Sequence, residues 1–498
     1  MEELNKFTPI QIKAAAELEI RKRRRKRMRE SLEDFLLEDG RGNWKSAKHL
    51  RYLINRLEKF VEEVKEGKSP RLIVCMPPRH GKSEVSTKKF PAWVLGNNPD
   101  WEIIAASYSA DLAEKFSRIC RDTFKEHESV FGVEVSKDSS SVKEWGIEGQ
   151  RGAFAATGVG GSATGKGAHV AIIDDPFKNR EDAQSTIKRE RVWDWYKSTI
   201  RTRLAPGGGI IVIQTRWHEE DLAGMLIKAM DEGEGEEFEL VNFPAVAEED
   251  DILGREPGDP LWPERFPKDE LLKTKQAVGR LEWDSLYQQK PTVDGGEIMR
   301  RKDFRYFRMK DGYMEVETDE GTRTVFSKDC LRFQTIDTAL KTGKKNDFTA
   351  IATWDVDKMS NLYLVDLYME KIEVPDQWRI IKGLRSRWNV MFQACEDKQS
   401  GTGLIQQAKR EAAPLKVLKA DTDKVTRSIP FSIMLENKKV FFNMNMAKIS
   451  QLEDQLTKFP NGAHDDAVDV CSYAAILVQK GRYGGGRGIA VSAPIIAM

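Results

Sequence analysis

The stretch that decides the fold of this chain is Arg71-Leu-Ile-Val-Cys-Met-Pro-Pro-Arg-His-Gly-Lys-Ser83. It opens with a short apolar run that is typical of a buried strand, and the residues from Ser83 onward favour a helix. Between them lies a phosphate-loop signature, in which Met76 stands where the usual pattern has its first glycine. Because the signature requires a strand before it and a helix after it, we favour a nucleotide-binding loop over a Pro-rich turn with a chance Gly-Lys-Ser.

The residues of this loop suit the handling of a phosphate. Gly81 lets backbone N–H groups approach the phosphate, Lys82 can reach its β and γ oxygens, and the Ser83 hydroxyl can ligate magnesium. Arg79 lies in the same loop and can add positive charge to the transition state of phosphoryl transfer. We therefore predict that these residues, together with His80, bind ATP and its Mg²⁺.

Three further apolar runs follow the loop, at 102–107, 169–173 and 209–214. Helical or loop-like segments separate them. Such alternation is typical of an α/β domain with a parallel sheet, which is the fold that we expect for this part of the chain.

Polar residues follow two of these runs. Asp174 and Asp175 project from the end of the second run, and α/β sheets bind their ligands at the carboxyl ends of strands. One carboxylate can hold the magnesium ion through a water molecule, and the other can orient or activate the water that attacks the γ-phosphate. Thr215 follows the third run and can sense the γ-phosphate, although strand-end capping is an equally good interpretation. The sequence does not choose among three arginines that can reach the site from a neighbouring subunit: Arg151, Arg201 and Arg203.

Composition limits the class of protein. With 498 residues, the chain has room for two large domains or about three smaller ones. Its net charge of +1 gives no overall sign of a nucleic-acid partner. Five widely separated cysteines without a C-x-x-C motif indicate a reducing compartment and argue against a zinc site. No stretch approaches about 18 consecutive apolar residues and the N-terminus is polar, so we expect a soluble intracellular protein without a membrane partner.

Two helices are predicted before the phosphate loop. The run at 21–29 places eight basic residues in nine positions between flanks that favour helix. This run can hold DNA phosphates or a partner, or it is simply a solvated helix face. Apolar residues then recur at helical spacing over 50–64, which predicts an amphipathic helix packed against the core.

The last third of the chain has a different pattern. Strand candidates lie at 332–336, 349–354, 362–366 and 390–395, and a predicted helix follows at 403–411. The order of three strands, helix, strand, helix, short strands and helix resembles the RNase H fold.

Carboxylates fall at the ends of these strands and on the last predicted helix. Asp337 ends the first strand and Glu396 follows the fourth. Asp465 and Asp469 are four residues apart, so they share a helix face, and Asp466 lies beside them. Two divalent ions about 4 Å apart need several carboxylates at one point, so we predict a Mg²⁺ or Mn²⁺ site whose bound water attacks a DNA phosphate. For any single acid, a solvated surface position is the alternative.

Basic residues near these acids are plausible contacts to DNA phosphates, and ordinary surface positions are the alternative. They are Lys341, Lys344, Lys345, Lys424 and Arg427.

Together these motifs resemble the large terminase subunit of tailed bacteriophages, the motor that cuts concatemeric viral DNA and pumps it into an empty capsid. The resemblance rests on the motifs at 77–83, 172–176, 214–218, 260–266 and 462–469, and it extends from about residue 48 to about residue 476. It implies an ASCE-type P-loop ATPase domain with a parallel sheet at 48–243 and an RNase H-like nuclease domain at 301–480. A proline-rich linker or lid at 244–300 joins them, a basic helical segment occupies 1–47, and the glycine-rich 481–498 are expected to be a disordered tail.

The resemblance also implies roles for the residues. Lys82 and Ser83 match the phosphate and magnesium contacts, Asp174 the Walker B acid and Thr215 the coupling residue. Asp175 stands where the family often has a catalytic glutamate, which leaves the identity of the water-orienting residue open.

For the nuclease, Asp337, Glu396 and one of Asp465 and Asp466 match the family's metal-binding triad. The implied partners are double-stranded DNA, the portal protein, a small terminase subunit and further copies of this chain in a ring, in the cytoplasm of a bacterial host. Two other functions are alternatives. A helicase or repair ATPase with an attached nuclease domain lacks a recognisable helicase arginine motif, and an inactive DNA-tethering protein has no need of intact Lys82 and Asp337.

Overall fold

The computed structural model describes residues 9–483 apart from 162–164, 166, 292–297, 339–347, 398, 420–421 and 463. The chain divides into two compact units, the first formed by 1–272 with 282–291 and the second by 273–281 with 292–498. The segment 244–300 is thus shared between the two units. Within the described ranges, no helix has both the length and the apolar character needed to cross a bilayer.

The first unit alternates helices and strands. In chain order the elements are α1 Pro9–Glu30, α2 Leu32–Asp39, α3 Lys48–Lys65, β1 Arg71–Cys75, α4 Phe90–Asn97, β2 Glu102–Ser107, α5 Ala110–Glu126, α6 Glu128–Phe131, β3 Val135–Ser140, β4 Glu144–Ile147, β5 Ala153–Gly158, β6 Ala168–Asp174, α7 Arg180–Gln184, α8 Thr186–Trp195, β7 Leu204–Gln214, α9 Leu222–Asp231 and β8 Glu239–Asn242. The next helix, α10 Lys268–Glu282, has residues in both units. Short π-helical turns occupy Glu84–Lys89, Tyr196–Ile200 and Trp283–Tyr287, and α10 is interrupted at Gly279, which has a φ of 77°.

Eight strands form one sheet in the order β3-β4-β5-β2-β6-β7-β1-β8. The pairs from β5 to β8 are all parallel, whereas β3 and β4 pair antiparallel at one edge. The parallel α/β sheet predicted from the four apolar runs is therefore confirmed, and the two antiparallel edge strands are additions to it.

Both faces of this sheet are buried, which explains why its strands are continuous apolar runs. Successive side chains of a strand point to opposite faces, so Leu72 and Val74 contact the layer that contains α3, while Ile73 and Cys75 contact the opposite layer. The predicted amphipathic helix over 50–64 is confirmed as α3. Its apolar stripe is buried at every position: Leu50, Leu53, Ile54, Leu57, Phe60, Val61 and Val64.

The second unit contains a nine-stranded sheet. Its elements are β9 Tyr306–Lys310, β10 Tyr313–Thr318, β11 Gly321–Phe326, β12 Leu331–Asp337, β13 Thr349–Val356, β14 Leu362–Glu370, α11 Val374–Trp388, β15 Phe392–Glu396, α12 Gln399–Arg410, β16 Leu415–Leu418, α13 Lys424–Glu436, β17 Val440–Asn443, α14 Ile449–Lys458 and α15 Asp466–Tyr483. The strand order is β11-β10-β9-β17-β14-β13-β12-β15-β16.

The centre of this sheet follows the predicted order of elements. β12, β13 and β14 are antiparallel neighbours, and β15 and β16 continue the sheet in parallel with β12. The four predicted strands are confirmed as β12 to β15, and the predicted helix overlaps α12. The antiparallel strands β9 to β11 were not predicted. The proposed disordered tail lies mostly in 484–498, outside the described residues.

Candidate nucleotide site and candidate nuclease site

The phosphate loop leaves β1 with two residues in the left-handed region. Gly81 has a φ of 96°, and a Cβ on it would lie 3.0 Å from Leu50 Cδ2, so a side chain at this position would meet both backbone strain and the α3 core. Arg79 has a φ of 65° and an exposed side chain. The loop therefore presents backbone and the Arg79 guanidinium to solvent while α3 supports it from below.

A pair of buried histidines holds the loop in this conformation. The His49 Nε2 atom lies 2.9 Å from the His80 carbonyl oxygen, and His80 Nδ1 lies 2.8 Å from the carbonyl oxygen of Pro78. The His80 ring stacks on Phe266 with ring centroids 4.5 Å apart. Burial lowers the pKa of each histidine to about 4, so both rings are neutral at pH 7. His80 therefore acts on the loop conformation from within the core.

Lys82 extends from the loop to residues at the ends of two other strands. Its Nζ atom donates to Thr215 Oγ1 at 2.7 Å and lies 2.8 Å from Asp175 Oδ2. The Thr215 backbone N–H in turn donates to Asp175 Oδ1 at 2.9 Å. The loop lysine and the predicted water-orienting and sensing residues therefore form one hydrogen-bonded group.

Asp174 lies next to this group and receives two hydroxyl hydrogen bonds. Ser83 Oγ donates to its Oδ1 at 3.0 Å, and Thr87 Oγ1 donates to its Oδ2 at 2.7 Å. Burial, and then the negative charge of Asp175, raise the pKa of Asp174 to about 6. Thr87 was missed in the sequence, although it follows Ser83 by four residues and so falls about one turn further along the same helix face.

Asp175 occupies a conformation that is uncommon for a residue with a side chain. Its φ is 46°, and its backbone is held by hydrogen bonds from its N–H to Ile213 O at 3.0 Å and from the Tyr108 N–H to its carbonyl oxygen at 3.2 Å. Strained backbone of this kind is concentrated at functional sites. The constraint aims the carboxylate at Lys82 and Thr215.

The three candidate arginines for a neighbouring site differ in their local contacts. Arg201 pairs with Glu236 at 2.8 Å, and Arg71 pairs with the same carboxylate at 2.8 Å. Arg151 is exposed and Arg203 is half-buried. The contacts within one chain do not select one of the three.

In the second unit, two predicted acids end neighbouring parallel strands. Ile336 of β12 is in register with Cys395 of β15, so Asp337 and Glu396 are the next residues of adjacent strands. Thr335 Oγ1 donates to the Val470 carbonyl oxygen at 2.8 Å, which fixes α15 against β12. Strand pairing and this contact place the start of α15 beside both strand ends.

The acids of α15 differ in burial and in partners. Asp466 and Asp469 are only 3% and 4% exposed, whereas Asp465, which precedes the helix, is half-buried. Arg427 Nη2 lies 2.7 Å from Asp469 Oδ1, and its Nη1 lies 3.5 Å from Glu396 Oε1. The Arg427 guanidinium therefore bridges the strand end to the helix.

Lys424 lies one turn before Arg427 on α13 and contacts the same helix. Its Nζ is 2.5 Å from Asp465 Oδ1 and 2.7 Å from Asp469 Oδ2. Burial disfavours the charged ammonium, but these two carboxylates outweigh it and raise the pKa of Lys424. Lys424 and Arg427, predicted as DNA contacts, therefore have carboxylates of the candidate nuclease site as their partners.

Tyr473 completes the described surroundings of the acids. It follows Asp469 by four residues on α15, and burial, followed by the charges of Asp469 and Asp337, raises its pKa. Tyr473 was missed in the sequence, because a tyrosine inside an apolar helix gives no signal of its own. Asp469 was predicted only as a neighbour of Asp465 on one helix face.

The predicted nuclease acids, Asp337, Glu396, Asp465 and Asp466, all of them described residues, do not form a compact cluster of metal ligands. In the ranges that the structure describes, only Asp39, Glu126 and His127 bring three potential ligand atoms within 4.8 Å of one another. That group lies in the first unit, where Asp39 also pairs with Lys89 at 2.9 Å. Lys341, Lys344 and Lys345 fall outside the described residues.

Two family models match the chain in consecutive segments. "Terminase large subunit, T4likevirus-type, N-terminal" matches residues 73–305, and "Terminase RNaseH-like domain" matches residues 334–477. The chain belongs to the terminase large subunit family. The first match contains the phosphate loop with Asp174 and Asp175, and the second contains Asp337, Glu396 and the acids of α15. The family thus accounts for an N-terminal ATPase domain and a C-terminal RNase H-like domain.

Solved structures of large terminases are similar to this chain. The large terminase of a thermophilic bacteriophage, in complex with ADP, has a TM-score of 0.44 and 13% identity, over 85% of this chain and 99% of that one. The HK97 bacteriophage large terminase has a TM-score of 0.32 and 11% identity, over 84% and 94%. The large terminase nuclease of the thermophilic phage G20c with bound magnesium has a TM-score of 0.27 and 13% identity, over 37% and 98%. No curated protein matches the sequence.

Proposed function

We propose that this chain hydrolyses ATP to move double-stranded DNA into a procapsid and cuts concatemeric DNA with an endonuclease that uses two divalent cations. The observation that carries the proposal is that Lys82, Ser83, Asp174, Asp175 and Thr215 meet at one edge of the first sheet. Membership of the terminase large subunit family supports the coupling of this site to DNA packaging.

In the nucleotide site, the residues suit Mg²⁺ and a triphosphate. Ser83 Oγ and Asp174 Oδ1, 3.0 Å apart, are the hard oxygen ligands that Mg²⁺ prefers, and this pair would hold the ion. When bound, Mg²⁺ offsets the charge that develops on the phosphates. Gly81 and Lys82 bind the phosphate oxygens, and the Asp175 carboxylate orients the attacking water. The exposed guanidinium of Arg79 supplies additional positive charge.

The contacts of Lys82 suggest how nucleotide binding is sensed. Its Nζ is held by Thr215 Oγ1 at 2.7 Å and by Asp175 Oδ2 at 2.8 Å. A γ-phosphate competes with both partners for the same ammonium. Binding of ATP would then release the Thr215 hydroxyl and the Asp175 carboxylate from the lysine, and release of phosphate would restore these contacts.

In the nuclease site, Asp337, Glu396, Asp465 and Asp466 would hold the divalent cations. Mg²⁺ or Mn²⁺, when bound, activates water and stabilises the charge on the phosphate that is cut. The carboxylates fit such ions by chemistry, since all are oxygen ligands and several are buried. Arg427 offsets the negative charges of Glu396 and Asp469, so these acids can lie close together when no cation is bound.

The assembly is part of the same proposal. The partners are double-stranded DNA, the portal protein, a small terminase subunit and further copies of this chain in a ring, in the cytoplasm of a bacterial host. Membership of the terminase large subunit family supports these partners, because packaging brings such a subunit to DNA at the portal.

A pair of single substitutions tests the division of labour. Lys82→Ala should abolish ATP hydrolysis and leave Mn²⁺-dependent cleavage of plasmid DNA at the wild-type rate. Asp337→Ala should do the reverse. Both activities are measured on the full-length chain, with circular dichroism as the check that each variant is folded. Loss of both activities in one folded variant, or plasmid cleavage by Asp337→Ala at the wild-type rate, would refute the assignment.

A further inference from the structure

Within the residues that the structure describes, several cations at the end of α1 have no acidic partner. Three members of the run over 21–29 pair with nearby glutamates: Arg23 with Glu19 at 3.0 Å, Arg24 with Glu38, and Lys26 with Glu30 at 3.8 Å. No ion pair joins Lys22, Arg25 or Arg29 to a carboxylate of the described residues. This part of α1 therefore carries positive charge that its own surroundings do not balance.

The three unpaired cations lie on one face of the helix together with Lys26, whose partner is Glu30. Lys22, Arg25, Lys26 and Arg29 are spaced i, i+3, i+4 and i+7, which places them in a row, and we call these four residues the cationic stripe. They line a groove with a volume of about 580 Å³. The opposite wall is formed by residues 129–132, at the end of α6.

The stripe is held in place on the first unit. Met28, in the middle of the basic run, is 3% exposed and belongs to the core. Trp93 Nε1 donates to the Met28 carbonyl oxygen at 3.0 Å, and Asn97 Nδ2 donates to the Arg29 carbonyl oxygen at 3.0 Å. Because α4 fixes the end of α1, a ligand that binds the stripe does not have to order the helix first.

We propose that the cationic stripe is a docking surface for the phosphate backbone of double-stranded DNA. Lys22 and Arg29 are about 10 Å apart along the helix axis at 1.5 Å per residue, which equals the rise of about three base pairs along the axis of a DNA duplex. Arginine presents forked donors that suit phosphate oxygens. The surface shares no residue with the nucleotide site or the nuclease site, so it adds a DNA contact to the proposed function.

An acidic protein segment fits the groove less well. Protein interfaces depend on apolar anchors that fill pockets. The large apolar residue of the groove, Phe131, is already 5% exposed and packed in the core, so it offers little area to a partner. One wall of the groove instead carries four cations and a single acid, Glu30.

The test measures DNA binding by the full chain in EDTA and without nucleotide, so it is independent of ATP hydrolysis and of cleavage. A labelled duplex of about 30 base pairs is titrated at salt concentrations from about 50 to about 200 mM, and affinity is followed by fluorescence anisotropy. The variant is Lys22→Ala/Arg25→Ala/Arg29→Ala. The matched control, Lys59→Ala/Lys65→Ala/Lys68→Ala, removes the same charge from exposed lysines of α3 and the turn that follows it.

We expect the stripe variant to lose about tenfold or more in affinity, and the slope of log affinity against log salt to fall by about 2 to 3, because each lost phosphate contact removes about 0.9 from that slope. The control variant and the ATPase rate without DNA should stay at wild-type values. Equal losses in the two variants, or an unchanged slope, would overturn the proposal. The proposal would also be overturned if the stripe variant kept its full affinity for DNA but lost the ability of the wild type to bind poly-glutamate.

Discussion

Asp174 is the residue on which the nucleotide site depends most directly. It is fully buried, and its two oxygens accept hydrogen bonds from Ser83 and Thr87. The carboxylate must be ionised to hold a cation, and its pKa is raised to about 6. The Mg²⁺-dependent ATPase activity should therefore decline as the pH falls through about 6, since protonated Asp174 is a poor ligand.

Thr87→Val tests this view of Asp174. The substitution removes a donor to a buried carboxylate, so the free energy of unfolding should fall by about 1 to 3 kcal/mol. Without that donor the ionised form is less favoured, and the pKa of Asp174 should rise further, moving the acid limit of ATP hydrolysis to higher pH. Urea unfolding and the pH profile of the ATPase rate are measured for Thr87→Val and for a control variant, Thr123→Val. The Thr123 hydroxyl accepts a hydrogen bond from Lys89 and does not contact Asp174. Equal acid limits in the two variants would contradict the role given to Thr87.

At the scale of elements, α13 supplies the positive charge beside the acids of the candidate nuclease site. Lys424 and Arg427 point from it to Asp465, Asp469 and Glu396. Loss of a partner costs several kcal/mol for the buried Arg427 and Asp469, and less for Lys424, whose side chain is 31% exposed but which faces the buried Asp469. When bound, divalent cations would offset the negative charge of these acids. In their absence, Lys424 and Arg427 of α13 offset it.

Lys424→Ala should therefore lower the thermal stability of the second unit in EDTA, and added Mn²⁺ should raise its melting temperature more than it raises that of the wild type. The control is Lys448→Ala, which removes a more exposed pair with Glu370 at 2.9 Å, and such pairs contribute at most about 1 kcal/mol. Melting is followed by differential scanning calorimetry with and without Mn²⁺. Identical Mn²⁺-induced shifts in Lys424→Ala and the wild type would show that Lys424 does not compete with cations for these acids.

The elements also show what the sequence could predict. The buried strand β6 contains the continuous apolar run 170–173, whose end predicts where Asp174 lies, and the end of β12 predicts where Asp337 lies. In β11, by contrast, every residue is exposed or half-buried, so no buried apolar run marks it. The contacts of Lys424 and Arg427 depend on the packing of α13 against α15, which periodicity within one helix does not contain.

At the scale of the whole molecule, the two units differ in their histidines. Of the six histidines in the sequence, only His464 belongs to the second unit, where it is exposed. His49 and His80 in the first unit are buried and have pKa values lowered from 6.5 to about 4. Between those values the unfolded chain binds more protons than the folded one, so the stability that these residues give is complete above pH 6.5 and is lost as the pH falls toward 4.

Acidification should therefore destabilise the first unit more than the second. Each of the two histidines contributes up to about 3 kcal/mol, and protonation of Asp174, whose pKa is raised, offsets part of this. Calorimetry between about pH 7 and pH 5 should show one unfolding transition moving to lower temperature by more than the other. In His49→Gln, which keeps a donor for the His80 carbonyl oxygen, the moving transition should shift less. Parallel shifts of both transitions would contradict this expectation.

The register of β12 with β15 has a consequence for the proposed nuclease site. Asp337 and Glu396 come from adjacent strands joined by backbone hydrogen bonds, so the spacing between their main chains is locked. Asp465 and Asp466 instead lie where α15 begins, and that helix is held against β12 by contacts such as the Thr335 hydrogen bond to the Val470 carbonyl oxygen. In the proposed nuclease site, two ligands would thus be placed by backbone pairing and two by the packing of a helix, so only the second two depend on how α15 contacts β12.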